Sequence, residues 1–182
     1  MKSELFAFID TETTGLNPDL HELIQIGGVV VHTKNTHDPE SYEVIEEFEY
    51  KIKPLHIANA NPTALKVNQY DPSQWTEALS LAEAMTLVAQ KTEGAVMVAH
   101  NVAFDAAFVD KAFRLSEIEN KMHYHKLDTV SMAYALLHNN DSVDRLSLHS
   151  LCQHFGIKQG IEHQALSDAR ATFELYKKLL SL

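Results

Sequence analysis

The chain has 182 residues, 45% hydrophobic and 22% charged, which fits one globular domain, read as residues 1–182, with a continuous core. Its 15 Lys plus Arg against 25 Asp plus Glu leave a formal charge of −10, so either the partner is not a polyanion or bound cations mediate the contact. The start, MKSELFAFID, lacks the apolar core of a signal peptide, no run approaches the roughly 20 apolar residues of a membrane span, and the single cysteine, Cys152, reads as a core residue; a cytoplasmic protein without membrane contact is expected.

In chain order, LFAFI (5–9) and LIQIGGVVV (23–31) are apolar runs of strand length, and YEVIEEFEYKI (42–52) alternates as a third strand after the polar turn HTKNTHDPES. The segment KPLHIANANPTALKVNQYDPSQW carries three of the five prolines and reads as a long irregular connection with at most a short helix, a length that itself hints at function. From Thr76, TEALSLAEAMTLVAQK has helical spacing and ends before Gly94. AVMVAH predicts a fourth strand, followed by the helix NVAFDAAFVDKAFRL with Asn101 as its N-cap. YHKLDT predicts a fifth strand, and VSMAYALLH, LSLHSLCQHF and ALSDARATFELYKKLLSL three helices.

Three short motifs sit on this scaffold. In FIDTETTGL, Asp10 and Glu12 are two positions apart on a strand, so they point the same way and repel, beside Thr13, Thr14 and Gly15. In HNVAFD, Asp105 falls near the first turn of a helix, where the helix dipole favours an acid. In HQALSDA, His163 precedes Asp168 by five residues, so the two cooperate only if His163 lies in the loop ahead of the helix. Singly, each has an ordinary explanation: a turn cap, a helix N-terminal acid, a surface histidine. Brought together, the carboxylates make a hard oxygen site suited to Mg²⁺ or Mn²⁺ rather than Zn²⁺. Two such ions about 4 Å apart can hold a phosphodiester and activate a water. An imidazole, with an ordinary pKa of about 6.5, suits the acceptance of the water's proton, and His163 is the candidate.

DTETTG, HNVAFD and HQALSDA, in this order and at this spacing, resemble the three exonuclease motifs of the DEDD superfamily, in the DEDDh branch that includes the epsilon subunit of bacterial replicative polymerase, oligoribonuclease and ribonuclease T. The resemblance runs from residue 5 to about 178. It implies an α/β, ribonuclease H-like fold, a five-stranded mixed sheet with helices on both sides. It further implies a 3′-to-5′ exonuclease with two ions, Mg²⁺ or Mn²⁺, per site. Asp10, Glu12 and Asp168 would be metal ligands, Asp105 would act through water, and His163 would be the general base. Thr13 would meet the terminal 3′-hydroxyl and Leu16 would wedge against the last base, while His100, Asn101 and Phe104 would shape the site.

Where many relatives carry a histidine and glycine, this chain reads ALKVNQYD, so a base contact there falls to Asn68 or Gln69. The sequence ends at YKKLLSL, without an evident polymerase-tethering tail, which favours a free-standing enzyme over a dedicated proofreading subunit. The expected partner is a nucleic acid with a free 3′-hydroxyl, single-stranded or frayed, with DNA or RNA, a polymerase partner and the oligomeric state left open. The rivals are a binding module of the same fold with weak or lost catalysis, and an aspartate-nucleophile phosphatase, which would have aspartate where Glu12 stands. The third is a transition-metal binder resting on 11 scattered histidines, HYH at 123–125 among them.

Overall fold

β1 (Leu5–Thr13) buries both of its faces, and this two-sided burial organises the molecule. The computed structural model describes residues 4–36, 38–160 and 163–182. Residues 1–3 of MKSELFAFID, and His37 in the turn after the second strand, lie outside the described residues. Successive side chains of a strand point to opposite faces. Ala7 and Ile9 accordingly join one core, and Phe6 and Phe8 the other.

β2 (Leu23–Thr33) pairs antiparallel with β1 and with β3 (Tyr42–Lys51). β4 (Val96–Ala99) pairs parallel with β1, and β5 (Lys126–Asp128) parallel with β4. Among the described residues the result is a five-stranded mixed sheet in the order β3-β2-β1-β4-β5. On the Ala7 face lie α2 (Leu81–Thr92) and α3 (Val102–Ser116), contributing Met85, Val88, Val109 and Phe113. On the Phe8 face lies α6 (Ala165–Leu180), whose Phe173 and Tyr176 rings pack 4.9 and 5.3 Å from that of Phe8. α4 (Thr129–Leu137) and α5 (Leu148–Phe155) cover α6 through Ala133, Leu137, Leu151 and Leu175, and the buried Cys152 sits on α5. The proline-rich connection holds one short α-helix, α1 (Pro62–Val67), between the 3-10 turns Ile57–Asn59 and Pro72–Trp75. No helix among the described residues is long and apolar enough to cross a membrane.

Three local expectations change. β1 ends at Thr13 rather than with the apolar run at Ile9; Asp10 and Glu12 lie on it, as their shared strand face required, paired to Gly27 and Gln25. α2 begins at Leu81 rather than at Thr76. Ser80 and Glu83 form a reciprocal capping box, and Leu79 is drawn into a bridge with Ile52, so the backbone before Ser80 is taken by the sheet edge. Asn101 stands at the N-cap of α3, but it is left-handed (φ 69°) and its side chain caps nothing. The Asp128 carboxylate accepts from the N–H groups of Asn101 and Val102 instead, at 2.9 and 3.1 Å, while also accepting from Ser131 N–H at the start of α4.

Candidate active site

The pairing of β1 with β2 slips after Glu12, where a bulge turns the chain out of the sheet into Thr14–Gly15. The turn is held from three sides. Thr13 donates its hydroxyl to Gly15 O (2.7 Å), Asn61 N–H reaches Thr14 O (2.8 Å), and the Asn68 amide donates to Thr13 O (2.7 Å). Thus α1, which Asn61 starts and Asn68 ends, is clamped beside the end of β1.

Asp10 and Glu12 share the face of β1 that looks onto α6, and Asp168 lies in the first turn of that helix. Asp105, in the first turn of α3, comes from the other side of the sheet and accepts a 2.8 Å hydrogen bond from Thr11, the residue between the two acids. Glu12, Asp105 and Asp168 are all buried. Burial, and then the charges of Asp105, Glu12 and Asp168, hold the Asp10 carboxyl well above its ordinary range. Burial, followed by Asp168 and Asp105, pushes Glu12 up to about 8. Asp105 is pushed up to about 7, again by burial first, with the Thr11 hydroxyl pulling the other way. A carboxyl group lifted by desolvation and like charge is one that a cation would stabilise in its ionised form.

His163 lies in the turn ahead of α6, with a left-handed backbone (φ 58°). Its N–H donates to Asp168 Oδ2 at 3.1 Å, which folds the turn back over the acid. One ligand atom each from Glu12, His163 and Asp168 lie within 4.8 Å of one another. The donor set, carboxylate oxygens with one imidazole nitrogen, fits a hard divalent cation. The same geometry admits His163 as a ligand or as a proton acceptor beside it.

These groups form the floor of an open cleft of about 400 Å³. Of the residues expected to bind substrate, Thr13, Leu16, Asn68, His100, Asn101 and Phe104 line it. Leu16 is 80% exposed at the mouth, a large apolar side chain turned to solvent. His100 has both ring nitrogens in use, Nδ1 with Thr129 Oγ1 (2.9 Å) and Nε2 with Leu146 O (2.8 Å). A carbonyl can only accept, so Nε2 carries the proton, while Nδ1 faces a Thr129 hydroxyl that also lies 3.3 Å from Ala99 O. Burial holds this imidazole below its ordinary pKa. Asn68 already spends its amide N–H on Thr13, and Gln69 lies outside the cleft lining.

Sequence reasoning missed Thr11, whose only signal was its place between the two acids. It also missed Val67 and Leu148, apolar lining residues of α1 and α5 that no motif marks. Cys152 is buried next to this region, and burial, with the charge of Asp168 behind it, pushes its thiol up to about 11, which keeps it unreactive.

The fold and the acid-lined cleft are those of a nuclease. Residues 7–176 match the exonuclease family of the RNase T type, and the chain belongs to that family. Its acids and His163 stand in the order of the DEDDh branch. The chain is 30% identical, over 96% of its length, to the DNA polymerase III PolC-type of Caldanaerobacter subterraneus subsp. tengcongensis, of which the match covers 11%. It is 27% identical, over 97% of its length, to DNA polymerase III subunit epsilon of Treponema pallidum, covering 76% of that protein. The chain thus spans about a tenth of the PolC-type relatives. The ribonuclease H-like fold recurs in E. coli Exonuclease I in complex with a dT13 oligonucleotide, at TM-score 0.76 and 19% identity over 97% of this chain and 41% of that one. It recurs also in the nuclease domain of 3′hExo, a DEDDh family member bound to rAMP, at TM-score 0.76 and 15% identity over 99% of this chain and 93% of the other.

Proposed function

We propose that this chain hydrolyses the last phosphodiester bond at the 3′ end of a nucleic-acid strand, releasing nucleoside 5′-monophosphates one at a time. The observation that carries the reading is the convergence of Asp10, Glu12, Asp105 and Asp168 from β1, α3 and α6 at the floor of one cleft, with His163 beside them. Asp10, Glu12 and Asp168 would hold two Mg²⁺ or Mn²⁺ ions, and Asp105 would bear on them through water. When bound, the ions supply positive charge to the carboxylates and to the phosphate undergoing attack.

The remaining roles belong to the chain itself. His163 accepts the proton of the attacking water, whose oxygen forms the new bond to phosphorus as the bond to the preceding 3′-oxygen breaks and that oxygen takes up a proton. Thr13, at the bulge, offers its main chain to the terminal 3′-hydroxyl, and Leu16 packs against the last base. His100 holds the segment before α5, so that Leu148 closes the far wall. Asn68 positions Thr13 and acts on substrate through it. With a net charge of −10, few phosphates can be neutralised by side chains, which supports short or frayed single strands over long duplexes.

The test offers end-labelled single-stranded DNA, duplex DNA and RNA with Mg²⁺ or Mn²⁺. Stepwise loss from the 3′ end, blocked by a 3′-phosphate and by chelator, is expected. Digestion from the 5′ end, or undiminished activity in excess chelator, overturns the proposal.

A further inference from the structure

α6 carries Asp168 in its first turn, so whatever seats the start of this helix also seats one of the site's carboxylates. The first N–H groups of a helix have no acceptor within it. Here Asp168 N–H already bonds to Gln164 O (3.1 Å), but Gln164, at the N-cap position, makes no side-chain cap bond. Leu166 N–H instead donates to the carboxylate of Glu49, 3.1 Å away on β3 and 117 positions earlier in the chain.

The sheet is shaped for this contact. Glu49 pairs in register with Gly27 of β2, and a Cβ on Gly27 would run into the backbone of Ala165 and Leu166. The missing side chain lets the helix end settle onto the sheet, and Glu49 reaches across from the neighbouring strand to cap it. Two residues back on the same face of β3, Glu47 holds Arg170 by two bonds, 2.9 and 2.5 Å long, but this pair is solvent-exposed and lies beyond Asp168. Repulsion from Asp10 and Glu12 works against the placement of Asp168, so the helix start needs a hold of its own.

We propose that Glu49 is a positioning residue of the active site: by capping α6 it fixes where Asp168, and the His163 N–H bonded to it, stand relative to Asp10 and Glu12. The inference rests on the exonuclease reading above for its metal site. The cap adds both a hydrogen bond and a negative charge at the positive end of the helix dipole.

The experiment measures Mn²⁺ affinity by calorimetry, without substrate, and hydrogen exchange at the Leu166 amide, in Glu49→Ala, Glu49→Asp and Glu49→Gln. Losing a group bonded to a metal ligand weakens affinity by about 10- to 100-fold; Glu49 acts one step further out, through the Leu166 N–H, so the lower end applies. Glu49→Ala should bind Mn²⁺ about 10-fold more weakly and exchange faster at Leu166. Glu49→Asp, which keeps the charge but shortens the reach, should behave alike and serves where the alanine variant does not fold. Glu49→Gln should lose clearly less than Glu49→Ala, because its amide oxygen still accepts from Leu166 and only the charge is gone. Glu46→Ala, on the same strand but paired with Lys91 of α2 at 2.7 Å, should leave Mn²⁺ affinity unchanged. Wild-type affinity in Glu49→Ala, or equal losses in Glu49→Ala and Glu49→Gln, overturns the inference. A wild-type protein that binds no Mn²⁺ overturns the exonuclease reading and this role with it, and faster exchange at Leu166 in Glu49→Ala would then locate the error in the metal and not in the cap.

Discussion

Thr11 donates its hydroxyl to Asp105 at 2.8 Å from the face of β1 opposite to Asp10 and Glu12. One three-residue stretch of strand therefore addresses both sides of the sheet, its acids turned toward α6 and its hydroxyl toward α3. The bond favours the ionised form of Asp105 and works against the burial that, with this bond in place, still pushes the carboxyl up to about 7. Thr11→Val should therefore cost about 1–3 kcal/mol where Asp105 is ionised, near pH 8.5, and less near pH 5, where it is protonated. Urea unfolding at the two pH values measures this. Equal losses at both would show that the hydroxyl serves packing rather than the carboxylate.

Metal-free stability should fall as pH rises. Glu12 titrates at about 8 in the fold against an ordinary 4.5, so the folded state binds its proton more tightly than the unfolded chain. Its favourable contribution is complete below about pH 4.5 and is lost as pH climbs to about 8. Asp105 acts in the same direction up to about 7. His100, held below its ordinary value, opposes them near neutrality, so the comparison needs a variant. In chelator, Glu12→Gln should melt higher than wild type at pH 8.5 and no higher at pH 4. Added Mn²⁺ should raise the melting temperature of wild type far more than that of the variant. Identical pH profiles for the two proteins would count against the raised carboxyl.

Metal binding and proton transfer should separate by mutation. Asp10→Asn and Glu12→Gln are expected to abolish turnover and weaken Mn²⁺ binding together, since each removes a charge that the cations need. His163→Ala is expected to keep most of the Mn²⁺ affinity while slowing hydrolysis by about 10² to 10⁴. The proximity of His163 to Glu12 and Asp168, within 4.8 Å, makes calorimetry decisive. Loss of Mn²⁺ binding in His163→Ala would make it a ligand, and full activity would place the base elsewhere.

Asp128 should matter to both stability and rate although it lies outside the three motifs. Its carboxylate accepts from Asn101 and Val102 at the start of α3 and from Ser131 at the start of α4. Losing one cap costs about 1 kcal/mol, so Asp128→Ala should lose about 2 kcal/mol in chemical denaturation. Because α3 carries Asp105, turnover should also fall. Ser80→Ala, which breaks the capping box of the distant α2, should cost about 1 kcal/mol and leave turnover alone. Equal effects of the two on rate would remove Asp128 from any role beyond stability.

Apolar runs such as LFAFI and LIQIGGVVV are legible as strands from the residues alone, and local apolar spacing is enough to put Asp105 near the first turn of α3 and Asp168 within α6. The sequence also determined that Asp10 and Glu12 share a strand face, since alternation is a local rule. What it could not carry is who meets whom across the chain. The start of α2 at Leu81 was misread because the bridge from Leu79 to Ile52 competes with helix propensity and is invisible locally. The capping of α3 by Asp128 rather than Asn101, the hold of Asn68 on Thr13 and the hold of Glu49 on Leu166 each join segments at least 26 positions apart. The last of these exists because Phe8 packs against Phe173 and Tyr176 and holds α6 down on β1. Local chemistry chose the acids; the burial of the two cores decided that they would stand together.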